Sequence, residues 1–318
     1  MPRLHPTTLL LLPLRLLATP ITLLTTLLRS HTNTNTNNPR SHHLRRRRRL
    51  TMLLLTLLLL LLLILTPCYL IYRPPISLIN YLATRYPDTL WTLPFPPNPS
   101  PHNPKLIALT LDDAPSPYTP LLLQTLLTHT STATFFLIGN QITPQTTPLL
   151  TTLVQNGMEL GNHAMHDEPS FKLSPTTLRT EITAIDNTIK EIYKSANVER
   201  KGKWFRPGSG VFTGWMREMV QELGYRIVLG SVYPHDAQIG WVGLNVWHVG
   251  GLSREGSIVV LHDRRGWTVE VLDRVLRVLR GRGYRVVSVG EAMEAAKAAA
   301  AAAAAAGGEG GRIGEVVG

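Results

Sequence analysis

The chain has 318 residues, with 32 Lys and Arg against 21 Asp and Glu, a formal net charge of +11. That length admits one or two domains, and the single cysteine, Cys68, excludes an internal disulfide framework. The basic excess is local: no acid precedes Asp88 and Arg45 to Arg49 run unbroken, so the charge is no nucleic-acid footprint on a folded domain, and no nucleic-acid partner is expected.

Residues 1–49 form a basic, low-complexity segment rich in Leu, Thr and Arg. Its apolar stretch from Thr7 to Leu28 is broken by Pro13, Arg15 and Pro20, and reads as targeting sequence or a weak membrane segment. Residues 31–49 are polar, and disorder is expected there. Residues 50–72 differ, because Leu50 to Tyr72 carry no charge. At about 1.5 Å per residue such a helix crosses a ~30 Å hydrocarbon core. Arg45 to Arg49 stand directly before it, and Tyr69 and Tyr72 lie at its far end. The positive-inside bias then predicts a single-pass signal-anchor, with a cytosolic N-terminus and a lumenal or extracellular remainder. Secretion after cleavage is the alternative. Residues 73–104 read as a Pro-rich linker with a short helix over Ile76–Tyr86 and an extended run from Pro94 to Pro104.

From Leu106 onward apolar runs alternate with helical periodicity. The runs are Leu106–Leu111, Thr134–Ile138, Arg226–Gly230, Ser257–Leu261 and Tyr284–Val289. Ser174 and Pro175 open a helix that carries Leu178, Ile182, Ile185, Ile189 and Ile192 on one face. Trp215, Met219 and Leu223 line a second, ended by Gly224, and Val271, Leu272, Val275, Leu276 and Leu279 line a third. This alternation predicts an α/β domain over 105–294, built on a mostly parallel sheet or barrel. Residues 295–318 are Ala- and Gly-rich and read as an extension without a catalytic role.

Polar groups gather where these strands end. Asp112 and Asp113 close the first, and Gly161-Asn162-His163 with His166-Asp167 follow a short apolar stretch. Arg206-Pro207-Gly208-Ser209-Gly210 follow Trp204, Tyr233-Pro234-His235-Asp236 follow Val232, and His262-Asp263 follow Leu261. Singly, each is an ordinary turn residue, and the tryptophans read as core or rim packing, with sugar platforms the alternative. Together they place carboxylate, imidazole and guanidinium repeatedly at the strand ends of an α/β fold, where active residues collect.

In this order the motifs resemble the polysaccharide deacetylases of carbohydrate esterase family 4, the NodB homology group that includes chitin deacetylases. The likeness runs from Lys105 to Ala292. It is strong at the Asp-Asp, Gly-Asn-His and Leu-His-Asp motifs and looser at the two between. The resemblance implies a distorted (β/α) barrel and a metal-dependent hydrolase of carbon–nitrogen amide bonds. The substrate implied is a polysaccharide containing N-acetylglucosamine. It implies Asp112 as general base, His262 as general acid, and Arg206 as the partner of Asp112. Asp113 and His163 would ligate a divalent metal, zinc first and cobalt second. The family's next histidine position holds Asp167 here, which spacing favours as third ligand, with His166 as the alternative. Ser209 would lie by the oxyanion, Leu261 beside the acetyl pocket, and Asp236 would tune His262.

The chain departs from the pattern at Leu111, where Phe is common, and at Ala114, where Gly is common. Gly208-Ser209 replace the usual Pro-Tyr, and Tyr233 precedes the acid of the fourth motif in place of Trp. These changes leave open another ester or amide substrate, such as acetylated xylan, or a non-catalytic carbohydrate-binding role. No protein partner is inferable from the sequence.

Overall fold

The structure, a computed structural model, describes residues 39–95 and 105–309. The targeting reading of 1–38 and most of the Pro-rich run lie outside these residues. The chain falls into two units, divided between Pro67 and Cys68.

Helix α1, Pro39–Tyr72, crosses that division. It begins well before the apolar stretch, which corrects the expectation of disorder up to residue 49: residues 39–49 are helical. Consecutive arginines are good helix formers, and the Leu run continues the same helix without a break. The part from His43 to Tyr72 is long and apolar enough to cross a membrane. Its leucines and isoleucines are exposed along the whole run, Leu59 at 64% and Ile64 at 63%. Helix α2, Ile76–Arg85, starts after Pro75 and buries Ile79.

An eight-stranded parallel sheet forms the rest. Its strands are β1 (Thr89–Leu90), β2 (Lys105–Ala114), β3 (Thr134–Leu137), β4 (Glu159–Asn162), β5 (Trp204–Phe205), β6 (Arg226–Val228), β7 (Ile258–His262) and β8 (Tyr284–Val287). Their order is β1-β6-β5-β4-β3-β2-β7. The long β2 lies beside β3 on one edge. Its other edge pairs with β8 over Lys105–Ala108 and with β7 over Ala108–Asp112. A parallel bridge from Val232 to Val259 brings the chain after β6 against β7 and curves the sheet into a half-closed barrel. Around it lie α3 (Thr119–Thr128), α4 (Thr147–Gln155), α5 (Pro175–Ala196), α6 (Gly214–Glu222), α7 (Val242–Leu252), α8 (Thr268–Gly281) and α9 (Val289–Glu309). Ser174 caps α5, its Oγ accepting from Thr177 N at 3.1 Å, as its place before Pro175 predicts.

Strand alternation sorts the side chains. Ile107, Leu109 and Leu111 of β2, with Phe135, Leu137, Leu160, Val259 and Leu261, pack into the helix-side core. Leu106, Ala108, Phe136, Trp204 and Ile258 fill the barrel interior. A Cβ on Gly161 would stand 2.6 Å from the Phe136 ring, so the interior closes only with glycine there. At the barrel's amino end Glu159 is buried and accepts from Trp204 Nε1 at 2.6 Å, Thr134 Oγ1 at 2.7 Å and Gly290 N at 2.9 Å. Three donors satisfy the carboxyl, as burial requires. At the carboxyl end the same interior positions become polar, and the candidate site lies there.

Candidate active site

Asp112 is the interior residue one alternation beyond Thr110. Alternation alone would send Asp113 to the helix side. The β2–β3 register slips between Leu111 and Ala114, and Asp113 takes φ 63°. Both acids therefore line one groove of about 580 Å³, with His163, Asp167, Arg206, Ser209, Tyr233, His235 and His262. Positive φ at non-glycine residues recurs in the loops of this end, at Asp113, Ala164, Ser209 and His235. Such conformations cost about 1–3 kcal/mol each and persist where the surroundings impose them, commonly at functional sites.

Arg206 ties the groove floor together. Its Nη1 donates to Asp112 Oδ1 and, at 2.8 Å, to Thr110 Oγ1, while its Nε donates to Val228 O at 2.9 Å. Its guanidinium carbon lies 4.3 Å from the centre of the Phe136 ring. Asp112 is 4% exposed and Arg206 3%. Burial pulls the guanidinium down from its ordinary value, and the Asp112 charge resists that. Thr110 is the residue that sequence reasoning passed over: a lone threonine in an apolar strand has no signal beyond its place two residues before an acid.

His163 Nδ1 lies 2.7 Å from the Arg206 carbonyl, which fixes the hydrogen on that nitrogen. Nε2 then presents its lone pair toward Asp113 Oδ1, 3.8 Å away. Asn162 builds the turn, donating to Ile182 O at 2.9 Å and accepting from Ala164 N at 3.0 Å. Burial pushes the Asp113 carboxyl up, His163 and His262 pull it down, and Asp112 and Asp167 push it up again. An oxygen and an imidazole nitrogen so placed suit one cation with bonds of about 2.0–2.2 Å, and the backbone bond to Nδ1 is the outer support such ligands use. The pair therefore fits a divalent metal.

The third donor is not gathered in. Among the described residues no group of three His, Cys, Asp or Glu is clustered for a metal. Asp167 lines the groove but is exposed and faces Arg264 Nη1 at 3.5 Å. His166 Nδ1 accepts from Asn140 Nδ2 at 2.9 Å, and the residue is not part of the groove lining.

Across the groove, His262 is the register partner of Asp112 on the adjacent parallel strand. Its Nδ1 meets Asp236 Oδ1 at 2.8 Å, and its backbone N donates to Asp236 Oδ2 at 2.8 Å. Asp236 is fully buried. Burial alone would lower the His262 pKa, but the Asp236 hydrogen bond and the charges of Asp236, Asp112 and Asp113 outweigh it and raise it. Asp263 turns away from the groove. It accepts from Ser116 Oγ at 2.8 Å and from Thr119 Oγ1, and its N donates to Asp112 O at 2.8 Å, fastening the loop after Asp113 to β7. Burial pushes its carboxyl up to about 6.

Two expected positions need comment. Leu261 is fully buried in the helix-side core, and the groove is lined by Val260 and His262. The reason is the strand period: Leu261 and His262 point to opposite faces, so a residue next to the histidine cannot share its pocket. Ser209 is exposed on the groove rim, at φ 66°. Beside it, Gly208 N donates to Ser170 Oγ at 2.8 Å, and a Cβ there would stand 2.0 Å from Glu168 O. The tryptophans divide as well. Trp204 is core, whereas Trp267 sits at the rim, its Nε1 donating to Asp236 O at 2.9 Å.

A family model described as Polysaccharide deacetylase matches residues 100–228. A peptidoglycan-N-acetylglucosamine deacetylase of Bacillus cereus is 34% identical over 200 residues, which cover 61% of this chain and 90% of that protein. Among solved structures, the Xyl-CE4 domain of a multidomain xylanase from the hindgut metagenome of Trinervitermes trinervoides superposes with a TM-score of 0.53 at 32% identity, covering 60% of this chain and 91% of the domain. A family 4 acetyl xylan esterase from Clostridium thermocellum, in complex with a cobalt ion, gives a TM-score of 0.53 at 28% identity, covering 60% of this chain and 91% of its own. The strand-end motifs, the half-closed parallel barrel and a relative matched over nearly its whole length agree: this chain belongs to the polysaccharide deacetylase family, carbohydrate esterase family 4.

Proposed function

We propose that this protein removes N-acetyl groups from a polysaccharide containing N-acetylglucosamine, using Asp112 as general base and His262 as general acid. The observation that carries the reading is their register: base and acid are paired positions on adjacent parallel strands, facing one groove. Arg206 holds Asp112 with one oxygen bound and so leaves the other for the proton of an attacking water. Asp236 occupies Nδ1 of His262, which leaves Nε2 to protonate the departing sugar amine. Its pKa is raised, a direction that favours the protonated imidazole this task needs. Ser209, on the rim after Arg206, would offer its backbone N–H to the developing oxyanion. Asp113 and His163 would hold a divalent cation, zinc or cobalt, with Asp167 as third donor. When bound, that cation supplies Lewis acidity toward the carbonyl and a more acidic water. Asp167 is favoured over His166 because it lines the groove.

The apolar helix, with Arg45 to Arg49 at its start, supports a single-pass anchor with the N-terminus in the cytosol and the domain on the far side. A polysaccharide outside the cytosol is the substrate that this placement would serve.

The test uses the full chain in detergent, loaded with zinc or cobalt. Acetate release is measured from chitin oligomers, peptidoglycan glycan strands and acetylated xylan. Release from the first two is expected, and Asp112→Asn should lose turnover while retaining metal. Release from xylan alone would overturn the amide reading, and silence on all three would overturn the enzyme.

A further inference from the structure

The chain leaves α1 against the loop that carries Asp236. Tyr72 stacks on His235, ring centres 5.4 Å apart, and meets His248 of α7 edge-on at 4.6 Å. Arg73 lies 3.9 Å above the Trp247 ring. All of these residues belong to the second unit. Among the described residues the Tyr72 hydroxyl is buried without a partner, and so are both ring nitrogens of His248. The contact is therefore one of shape and ring faces.

What it touches matters. His235 holds φ 61°, a conformation that a non-glycine residue keeps only under constraint. The next residue is Asp236, whose two oxygens hold the ring and the backbone of His262. Inside the loop, Gln238 N and Ile239 N donate to His235 O at 3.0 and 2.8 Å. Tyr233 packs on His235 at 4.3 Å and on His262 at 5.6 Å. The loop thus has its own hydrogen bonds on one side and the Tyr233 ring on another. Tyr72, at the end of α1, also stacks on the His235 ring.

We propose that Tyr72 is a positioning residue: it holds His235 and the 233–236 backbone so that Asp236 aims at His262, and the end of the apolar helix thereby sets the catalytic acid. The catalytic half of this statement rests on the deacetylase reading above. Tyr72 is not among the residues lining the groove, and its effect passes through His235 and Asp236.

The experiment compares Tyr72→Ala and Tyr72→Phe with the unchanged full chain in detergent. The readouts are kcat and KM for acetate release from chitin oligomers, bound metal, and amide hydrogen exchange in peptides covering Tyr233–Gln238 and Asp112–Ala114. For Tyr72→Ala the expected result is a fall in kcat of about tenfold, a fraction of what a general acid contributes. KM and metal content should hold, and faster exchange should be confined to Tyr233–Gln238. Tyr72→Phe should match the unchanged chain, because the ring is kept and the hydroxyl it loses has no partner among the described residues. If Tyr72→Ala does not fold, Tyr72→Leu takes its place with the same expectations, since it keeps more apolar volume than alanine and loses the ring face. The proposal is overturned if the non-aromatic variant leaves kcat and loop exchange unaltered, or if Tyr72→Phe is as damaging. Should the unchanged chain release no acetate while loop exchange still responds to Tyr72→Ala and not to Tyr72→Phe, the coupling stands and the deacetylase reading falls.

Discussion

The buried Arg206–Asp112 pair makes the sharpest quantitative prediction. Arg206→Met removes three donor bonds and a cation lying over Phe136, while keeping most of the volume. Asp112 then remains 4% exposed without its counter-charge. Removing one partner of a buried ion pair costs about 3–5 kcal/mol, much of it the penalty of stranding the other charge. Asp112→Asn strands Arg206 instead, though Thr110 and the Val228 carbonyl still accept from it, so about 2–3 kcal/mol is expected. The double variant leaves no charge stranded. It should therefore lose less than the sum of the single losses by about 2–3 kcal/mol. Guanidinium unfolding of the full chain in detergent, followed by tryptophan fluorescence, measures the cycle, and all three variants should lose turnover. Additive losses within about 0.5 kcal/mol would refute the reasoning, since uncoupled sites behave that way.

Other outcomes follow from single contacts. Asp263 has its folded pKa raised from 3.8 to about 6, so the folded state holds its proton more tightly than the unfolded one. Its contribution to stability is then full below the unfolded value and lost as pH rises through the folded one, by about 3 kcal/mol. Asp263→Asn should remove that slope, read from unfolding midpoints between about pH 4 and pH 7. Gly208→Ala would set a Cβ 2.0 Å from Glu168 O and should destabilise by about 1–3 kcal/mol, with reduced turnover because Arg206 lies two residues away. Asp167→Ala should lower bound zinc by about 10-fold or more while His166→Ala leaves it unchanged, measured by metal analysis after dialysis. The reverse order would make His166 the ligand.

The barrel was legible where strands are long enough to show a period. Leu106–Leu111 and Ser257–Leu261 lie almost wholly in β2 and β7, and the isoleucine ladder from Leu178 is the buried face of α5. The strands β4 and β5 escaped that test. One has four residues and begins at buried Glu159, and the other has two. Neither offers an alternation to count, and a glutamate in a strand reads as exposed until Trp204, Thr134 and Gly290 supply its donors. Helical residues 39–49 were missed for a different reason: polarity argues against burial, yet a helix continued from an apolar neighbour needs none. At the site, residue types and order announced Asp112, His163, Arg206 and His262. Thr110, Asn162 and Asp263 hold them in place through bonds to residues distant in the chain, and no local pattern encodes such partners.

The two acids that end β2 carry the same side chain, so any difference between them must come from the backbone. Asp112 obeys strand alternation and lands above Thr110, where Arg206 reaches both. Asp113 breaks alternation through its positive φ and the register slip, and lands facing His163. A regular strand would have put one acid in the groove and the other among Leu109 and Leu111 in the core, a cost of several kcal/mol for an unpaired charge. The strained turn therefore does more than end a strand. It places two carboxylates in one groove with opposite surroundings, one bound to a guanidinium and one facing an imidazole. That is the condition for one to accept a proton while the other holds a cation.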